Sequence, residues 1–243
     1  MNRNPNYFRI VTAEREDSAD MYLYGYIGQD FWWDEEMKEE SLTDLEVVKS
    51  IKDLEKKYSR INVRINSPGG SVFHGDPIIT ALRSSTAEIH TYIDGIAGSM
   101  AADIWVIGKV RHMASNSKLM IHSTSSLCWG TAKDMTETAK MLESFDSAAI
   151  STFSAATGMT EDEVKERFYD YRDHWVTAPE AKEMGLINEI DTYETAETVA
   201  NPEKMSYSDL LKQTAKAPKE KKVIDCIDDI ELETEIFILN NEQ

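Results

Sequence analysis

The chain has 243 residues, 41% hydrophobic and 29% charged, enough for one large domain with an appendage and short for two full domains. Its formal net charge of −18 argues against nucleic acid as the main partner, because phosphate binding needs a basic surface. No apolar run approaches the roughly 18 residues of a membrane span, and the first residues lack the charged-then-apolar order of a secretion signal, so a cytoplasmic protein without a membrane partner is expected.

In chain order, Tyr7–Val11 and Met21–Ile27 read as short strands, the second with Tyr22, Tyr24 and Tyr26 alternating against apolar neighbours. The aromatic run Phe31-Trp32-Trp33 leads into an acidic stretch. A helix is expected from Ser41 to about Tyr58, because Leu42, Leu45, Val48, Ile51 and Leu54 recur at helical spacing. Ile61–Asn66 is a strand pattern that runs into Ser67-Pro68-Gly69-Gly70-Ser71. Any strand exit can use such a turn, but paired glycines also free backbone N–H groups to face a ligand oxygen. Asp76-Pro77 has the form of an N-cap followed by proline at the first helical position, which predicts a helix from there through Leu82.

Ile89–Asp94 reads as a strand running into Gly95-Ile96-Ala97-Gly98-Ser99-Met100-Ala101-Ala102. Gly95 and Gly98 would let the strand turn sharply into a helix, leaving the Ser99 hydroxyl unshielded with N–H groups nearby. By itself this cluster of small residues fits close helix packing as well. Val110–Ala114 and Lys118–His122 read as strands, and the apolar run Leu119-Met120-Ile121 would hold His122 rigidly, as a general base requires. Ser123–Gly130 is a loop. A long helix follows to about Thr157, with Met135, Ala139, Leu142, Phe145, Ala149 and Phe153 on one stripe and Gly158 as its stop. Thr160 and Glu163 form a capping box for a helix through Phe168; Pro179–Met184 is a further helix and Leu186–Ile190 a last strand.

From about Thr192 the character changes. Residues 216–222 form a basic linker, and Val223–Leu239 alternates isoleucines with acids, the pattern of a pairing strand or an acidic tail. Cys128 and Cys226 read as reduced thiols. His74, His90, His112, His122 and His174 are scattered without zinc-site spacing, so neither a metal nor a cofactor is expected.

Four pieces then stand in a fixed order: Asn66–Gly70, Gly98-Ser99-Met100-Ala101, Met120-Ile121-His122, and Asp173 ahead of Thr177–Ala181 and Gly185-Leu186. Together they resemble the proteolytic subunit of the Clp protease family, including phage-encoded relatives that act as head-maturation proteases. The resemblance runs from roughly Asn4 to Ile190. It implies an α/β fold, a crotonase-like spiral of ββα units with a protruding helical handle at about 125–157. The domain would span 1–191, with 192–243 as an extension.

The resemblance also implies roles. Ser99 matches the nucleophile, His122 its base, Asp173 the carboxylate that orients the imidazole, and the N–H groups of Gly70 and Met100 the oxyanion hole. Without the resemblance, Asp170 and Asp94 are equal candidates for that carboxylate. A homo-oligomer of one ring or stacked rings is implied, with unfolded protein or peptide as substrate and a handle strand that pairs with it. An ATPase unfoldase or capsid and scaffold proteins would be partners. Arg172 matches a position that pairs across rings. Asp76-Pro77, the Phe31–Glu40 insertion and the tail after Thr192 depart from the family pattern and lean towards the phage branch. Two other readings compete. One is a crotonase-type acyl-CoA enzyme, which would not need Ser99 or His122; the other is a ring-forming structural protein without turnover.

Overall fold

Apolar residues at period two make the central strands, and stripes at helical period make the helices that cover them. The computed structural model describes residues 8–11, 17–28 and 41–192, all within one compact unit, Met1–Tyr193. The first half holds β1 (Phe8–Val11), β2 (Ser18–Tyr24), β3 (Tyr26–Ile27), β4 (Ser41–Leu42), α1 (Asp44–Leu54), β5 (Arg60–Ser67), α2 (Val72–Arg83) and β6 (Glu88–Gly98). The second half holds α3 (Met100–Trp105), β7 (Val110–Ala114), β8 (Lys118–Ile121), α4 (Ala132–Thr157), α5 (Glu161–Phe168), β9 (His174–Thr177), α6 (Ala178–Glu183) and β10 (Glu189–Asp191). The Phe31–Glu40 insertion, the basic linker and the acidic tail lie outside the described residues.

An eight-stranded sheet has the main path β1-β2-β5-β6-β7-β10 with β8 and β9 branching from β6; its pairs are parallel except β1–β2 and β8–β9. Its core strands carry Met21, Leu23, Ile61, Val63, Ile65 and Ile93, all buried. Strand β6 serves two neighbours in succession. His90–Ile93 pairs with β7, and Ile96–Gly98 then pairs with β8, whose other edge takes β9 antiparallel. This fork positions the site, since Ser99 leaves one strand of it and His122 the next.

Several expectations change in the folded chain. The strand expected over Met21–Ile27 breaks at Gly25, φ 100°, whose N–H donates to the Asn66 carbonyl at 3.0 Å. Helix α2 starts at Val72 after Ser71, five residues before the Asp76-Pro77 start that local capping rules imply. Pro77 therefore sits inside the helix and forfeits a bond to the Phe73 carbonyl, on a residue 66% exposed, where water can serve it. Close packing of Gly75 on Met100, where a Cβ would meet that side chain, ties the early start of α2 to α3. The Gly95–Gly98 stretch stays in β6, so the strand-to-helix turn falls on Ser99 alone. The strand implied for the handle is absent: residues 122–130 are irregular and pair with no described strand.

Helix α4 begins and ends where its caps dictate. Thr131 and Asp134 close a capping box, and Gly158 takes the left-handed conformation at φ 79°. Only Ile150 and Phe153 of this helix are buried, both in its C-terminal third.

Candidate active site

Ser99 sits at φ 53°, ψ −128°, a backbone conformation that a residue with a side chain adopts only when its surroundings impose it. Here the surroundings are explicit. Its N–H donates to the Met120 carbonyl of β8 at 2.9 Å, and its own carbonyl accepts from Ala102 at 2.7 Å. Across the turn, Gly69 at φ 102° lies so close that a Cβ there would come 2.5 Å from the Gly98 oxygen and 2.8 Å from the Ser99 Cβ. The serine is thus lifted out of the strand line at a sharp strand-to-helix junction, the geometry that exposes a nucleophilic hydroxyl.

His122 follows β8 by one residue. Its Nε2 lies 2.8 Å from the Ser99 Oγ, and its Nδ1 lies 3.1 Å from the Asp173 Oδ1. An ionised carboxylate only accepts, so the Nδ1–H donates to Asp173 and Nε2 is left to accept the serine proton. Strand β9, unanticipated from the sequence, brings the carboxylate there. Its antiparallel register sets Ile121 opposite His174, which places Asp173 beside His122. The other two aspartates are engaged elsewhere. Asp94 accepts from Arg64 and from the Tyr24 hydroxyl at 2.7 Å. Asp170 accepts from Arg172 and from His174 at 2.6 Å, and these partners hold it well below the usual carboxylate range. Arg172, implied to pair across rings, pairs here within its own chain.

Gly70 forms a parallel bridge with Ile27: the Gly69 carbonyl accepts from Ile27 at 2.9 Å, and the Ser71 N–H donates to Ile27 at 2.8 Å. Bonds on both flanks towards β3 turn the Gly70 N–H to the opposite side. A Cβ at Gly70 would strike the Ile27 carbonyl, so glycine is required at this spot. The Met100 N–H belongs to the first turn of α3, where no intrahelical acceptor exists. Gly70, Ser99, Met100 and His122 line one cavity of about 430 Å³, whose wall continues into Met141, Leu142 and Phe145 of α4.

The same wall contains Asp103 and Tyr169, neither singled out in the sequence. Burial first, and then the charges of Asp76 and Asp146, push the Asp103 carboxyl up to about 7. Tyr169 hydrogen-bonds to it and is itself pushed up by burial. The legible signal was an acid four residues after the serine, inside an otherwise apolar helix.

Away from this cavity, parallel register sets His112 of β7 opposite Glu189 of β10, with Asp191 on the same face. The His112 Nδ1 lies 3.2 Å from Asp191 and 3.6 Å from Glu189, and the donor atoms of all three fall within 4.8 Å of one another, close enough for a metal ion. Strand register creates this set, so no sequence spacing announces it; a histidine between two carboxylates has the same geometry. Cys128 is a free thiol, and Cys226 lies outside the described residues. Among the described residues no helix is long and apolar enough to cross a membrane.

Fold and cavity together define an α/β protein with a hydroxyl, an imidazole and a carboxylate in hydrogen-bonding series at the fork of its sheet. The family model for Clp protease matches residues 34–194. The chain belongs to the Clp protease family. It is 34% identical over 133 residues to an ATP-dependent Clp protease proteolytic subunit of Bacteroides fragilis, covering 54% of this chain and 63% of that one. Proteolytic subunit 2 of Corynebacterium efficiens is 33% identical over 134 residues, 54% of this chain and 66% of its own. The chloroplastic proteolytic subunit 3 of Arabidopsis thaliana is 33% identical over 140 residues, 57% of this chain and 45% of its own. The matched stretch thus spans less than two thirds of these relatives.

Proposed function

We propose that this protein is a serine endopeptidase that hydrolyses peptide bonds of unfolded protein substrates through Ser99, His122 and Asp173. The observation that carries the reading is the unbroken series of contacts from Ser99 Oγ to His122 to Asp173, at 2.8 Å and 3.1 Å. As a peptide carbonyl carbon approaches, the Ser99 hydroxyl passes its proton to His122 Nε2 while the new C–O bond forms. The Asp173 carboxylate holds the ring in the required tautomer and stabilises the imidazolium. The carbonyl oxygen gains charge, which the N–H groups of Gly70 and Met100 receive; each such donor lowers the barrier by about 3 kcal/mol. His122 then returns its proton to the departing amine, and water enters by the same route in reverse to release the acyl group.

The family supports a ring of identical subunits fed by an ATPase unfoldase. The exposed Leu127 and Trp129, both fully accessible in the single chain, mark the handle as the surface such a ring would cover. The departures from the bacterial pattern favour capsid or scaffold proteins as natural substrates, within the cytoplasm. The acyl-CoA reading loses ground because it gives no use to the Ser99–His122 contact, and a structural protein without turnover has no need of it either.

Fluorophosphonate labelling tests the reading. Ser99 should be modified in the wild type, with no label in Ser99→Ala and little in His122→Ala. Labelling at another residue, or processing of a casein-like substrate at equal rates by wild type and Ser99→Ala, would refute it.

A further inference from the structure

Asp103 borders the cavity without a part in the proton relay. It follows Ser99 by four residues, and its N–H approaches the Ser99 carbonyl at 3.4 Å. Ser99 is the non-helical N-cap of α3 and Asp103 lies in the first turn that follows, about 6 Å along the axis, and both residues line the same cavity. Met100, Met120, Leu142 and Phe145 share that wall. The cavity thus combines sulfur, aliphatic and aromatic surface with one carboxyl group a helical turn from the nucleophile.

The surroundings of this carboxyl are acidic. Asp76 faces it from α2 and Asp146 from α4, and after α5 the buried Tyr169 supplies a hydroxyl hydrogen bond. Tyr169 satisfies only one of the acceptor positions on the carboxylate. Asp146 is partly engaged, accepting from the Thr124 N–H at 2.6 Å. A desolvated acid with two acids for neighbours is costly to ionise and leaves a site where a cation is favoured. A purely apolar side chain placed there would desolvate the acid further and return nothing. Lysine and arginine match the whole wall, because each carries an aliphatic stem for the apolar surface and a cation at its tip.

We propose that Asp103 determines the substrate preference of the Ser99 site, selecting lysine or arginine on the acyl side of the scissile bond. The stem lies along Met120, Leu142 and Phe145 and the cation pairs with the Asp103 carboxylate, with Tyr169 holding that carboxylate in place. This inference rests on Ser99 being the peptidase nucleophile.

Two diphenyl phosphonate probes that differ only in carrying a lysine-like or a leucine-like side chain test it on the full chain. Wild type should label roughly 10- to 100-fold faster with the lysine-like probe, the range that a charge-assisted hydrogen bond provides. Asp103→Asn, equal in size and uncharged, should bring the ratio of the two rates to about one, and Asp103→Leu should invert it; circular dichroism melting checks that each variant is folded. A leucine-like probe that reacts as fast as the lysine-like one in wild type, or a lysine preference that survives in a folded Asp103 variant, overturns the inference and leaves the nucleophile assignment standing. Failure of a plain fluorophosphonate to label wild-type Ser99 overturns both.

Discussion

The turn at Ser99 and the N-terminal half of α4 are built on opposite terms. Every constraint on the turn comes from within the chain: Met120 holds the Ser99 N–H, Gly69 packs beneath it, and Met100 behind it is almost fully buried. A disfavoured backbone conformation survives because its neighbours leave it no alternative. Helix α4 is regular and well capped, yet Met135 and Met141 remain exposed at 43% and 37%, and Phe153 alone of its large side chains is fully buried. Its apolar stripe was legible as an amphipathic pattern, but the chain buries it fully only in the last third and half-buries Leu142 and Phe145 before that. One region is finished by the fold; the other keeps apolar side chains on the surface of the single chain.

Substitutions can break this contrast, and the largest effect should fall at the turn. Ser99→Ala should lower peptidase turnover by at least roughly 10⁴-fold, measured in a peptide-hydrolysis assay, with melting temperature changed little, because the relay acts as a unit. Next, Phe153→Ala should cost about 3–5 kcal/mol in denaturant unfolding, since it empties a site with no exposure at all.

Asp103→Asn should change how stability depends on pH. The carboxyl sits at about 7 in the folded chain against an ordinary value of 3.8, so the folded state holds the extra proton between those limits. Its contribution is fully present below pH 3.8 and is lost as pH rises through about 7. Wild type should therefore lose of order 2 kcal/mol relative to the asparagine variant between pH 4 and pH 8, the figure reduced for water in the cavity. Parallel denaturant titrations at the two pH values would read this, and identical pH slopes would show that Asp103 ionises at no cost to the fold. Smallest of all, Met135→Ser should shift unfolding by less than about 0.5 kcal/mol. A larger loss that grows with protein concentration would show its side chain buried between subunits, and light scattering would reveal the assembly directly.

Much of the fold was readable because its signals are local. The α4 boundaries came to within a residue from the apolar stripe that begins after the 123–130 loop and from Gly158, as local pattern and hydrogen bonds within a few residues decide a helix end. β5 was equally clear from Ile61, Val63 and Ile65. Elsewhere the same rules misled. Asp76-Pro77 has the chemistry of a helix start, but packing of Gly75 on Met100 extends α2 back to Val72. Strand β9 was missed because its four residues, His174–Thr177, are too few for a period and take their extended form from pairing with β8. The oxyanion candidates Gly70 and Met100 were visible as a glycine pair and a small-residue helix start, while Asp103 gave only the signal of a lone acid in an apolar helix, and the packing of α4 and Tyr169 around it decides that it lines the Ser99 cavity.

The sequence by itself determined the strand and helix alphabet, the glycine turn, and the small-residue setting of Ser99, because these follow from side-chain size and short-range hydrogen bonding. It left Asp94, Asp170 and Asp173 equivalent as partners for His122. Only the tertiary structure distinguished them. Arg64 and Tyr24 engage the first, Arg172 and His174 the second, and the β8–β9 register carries the third to the imidazole. A carboxylate's chemistry is fixed by what lies within a few ångströms, and across 51 positions of chain that neighbourhood is set by strand pairing.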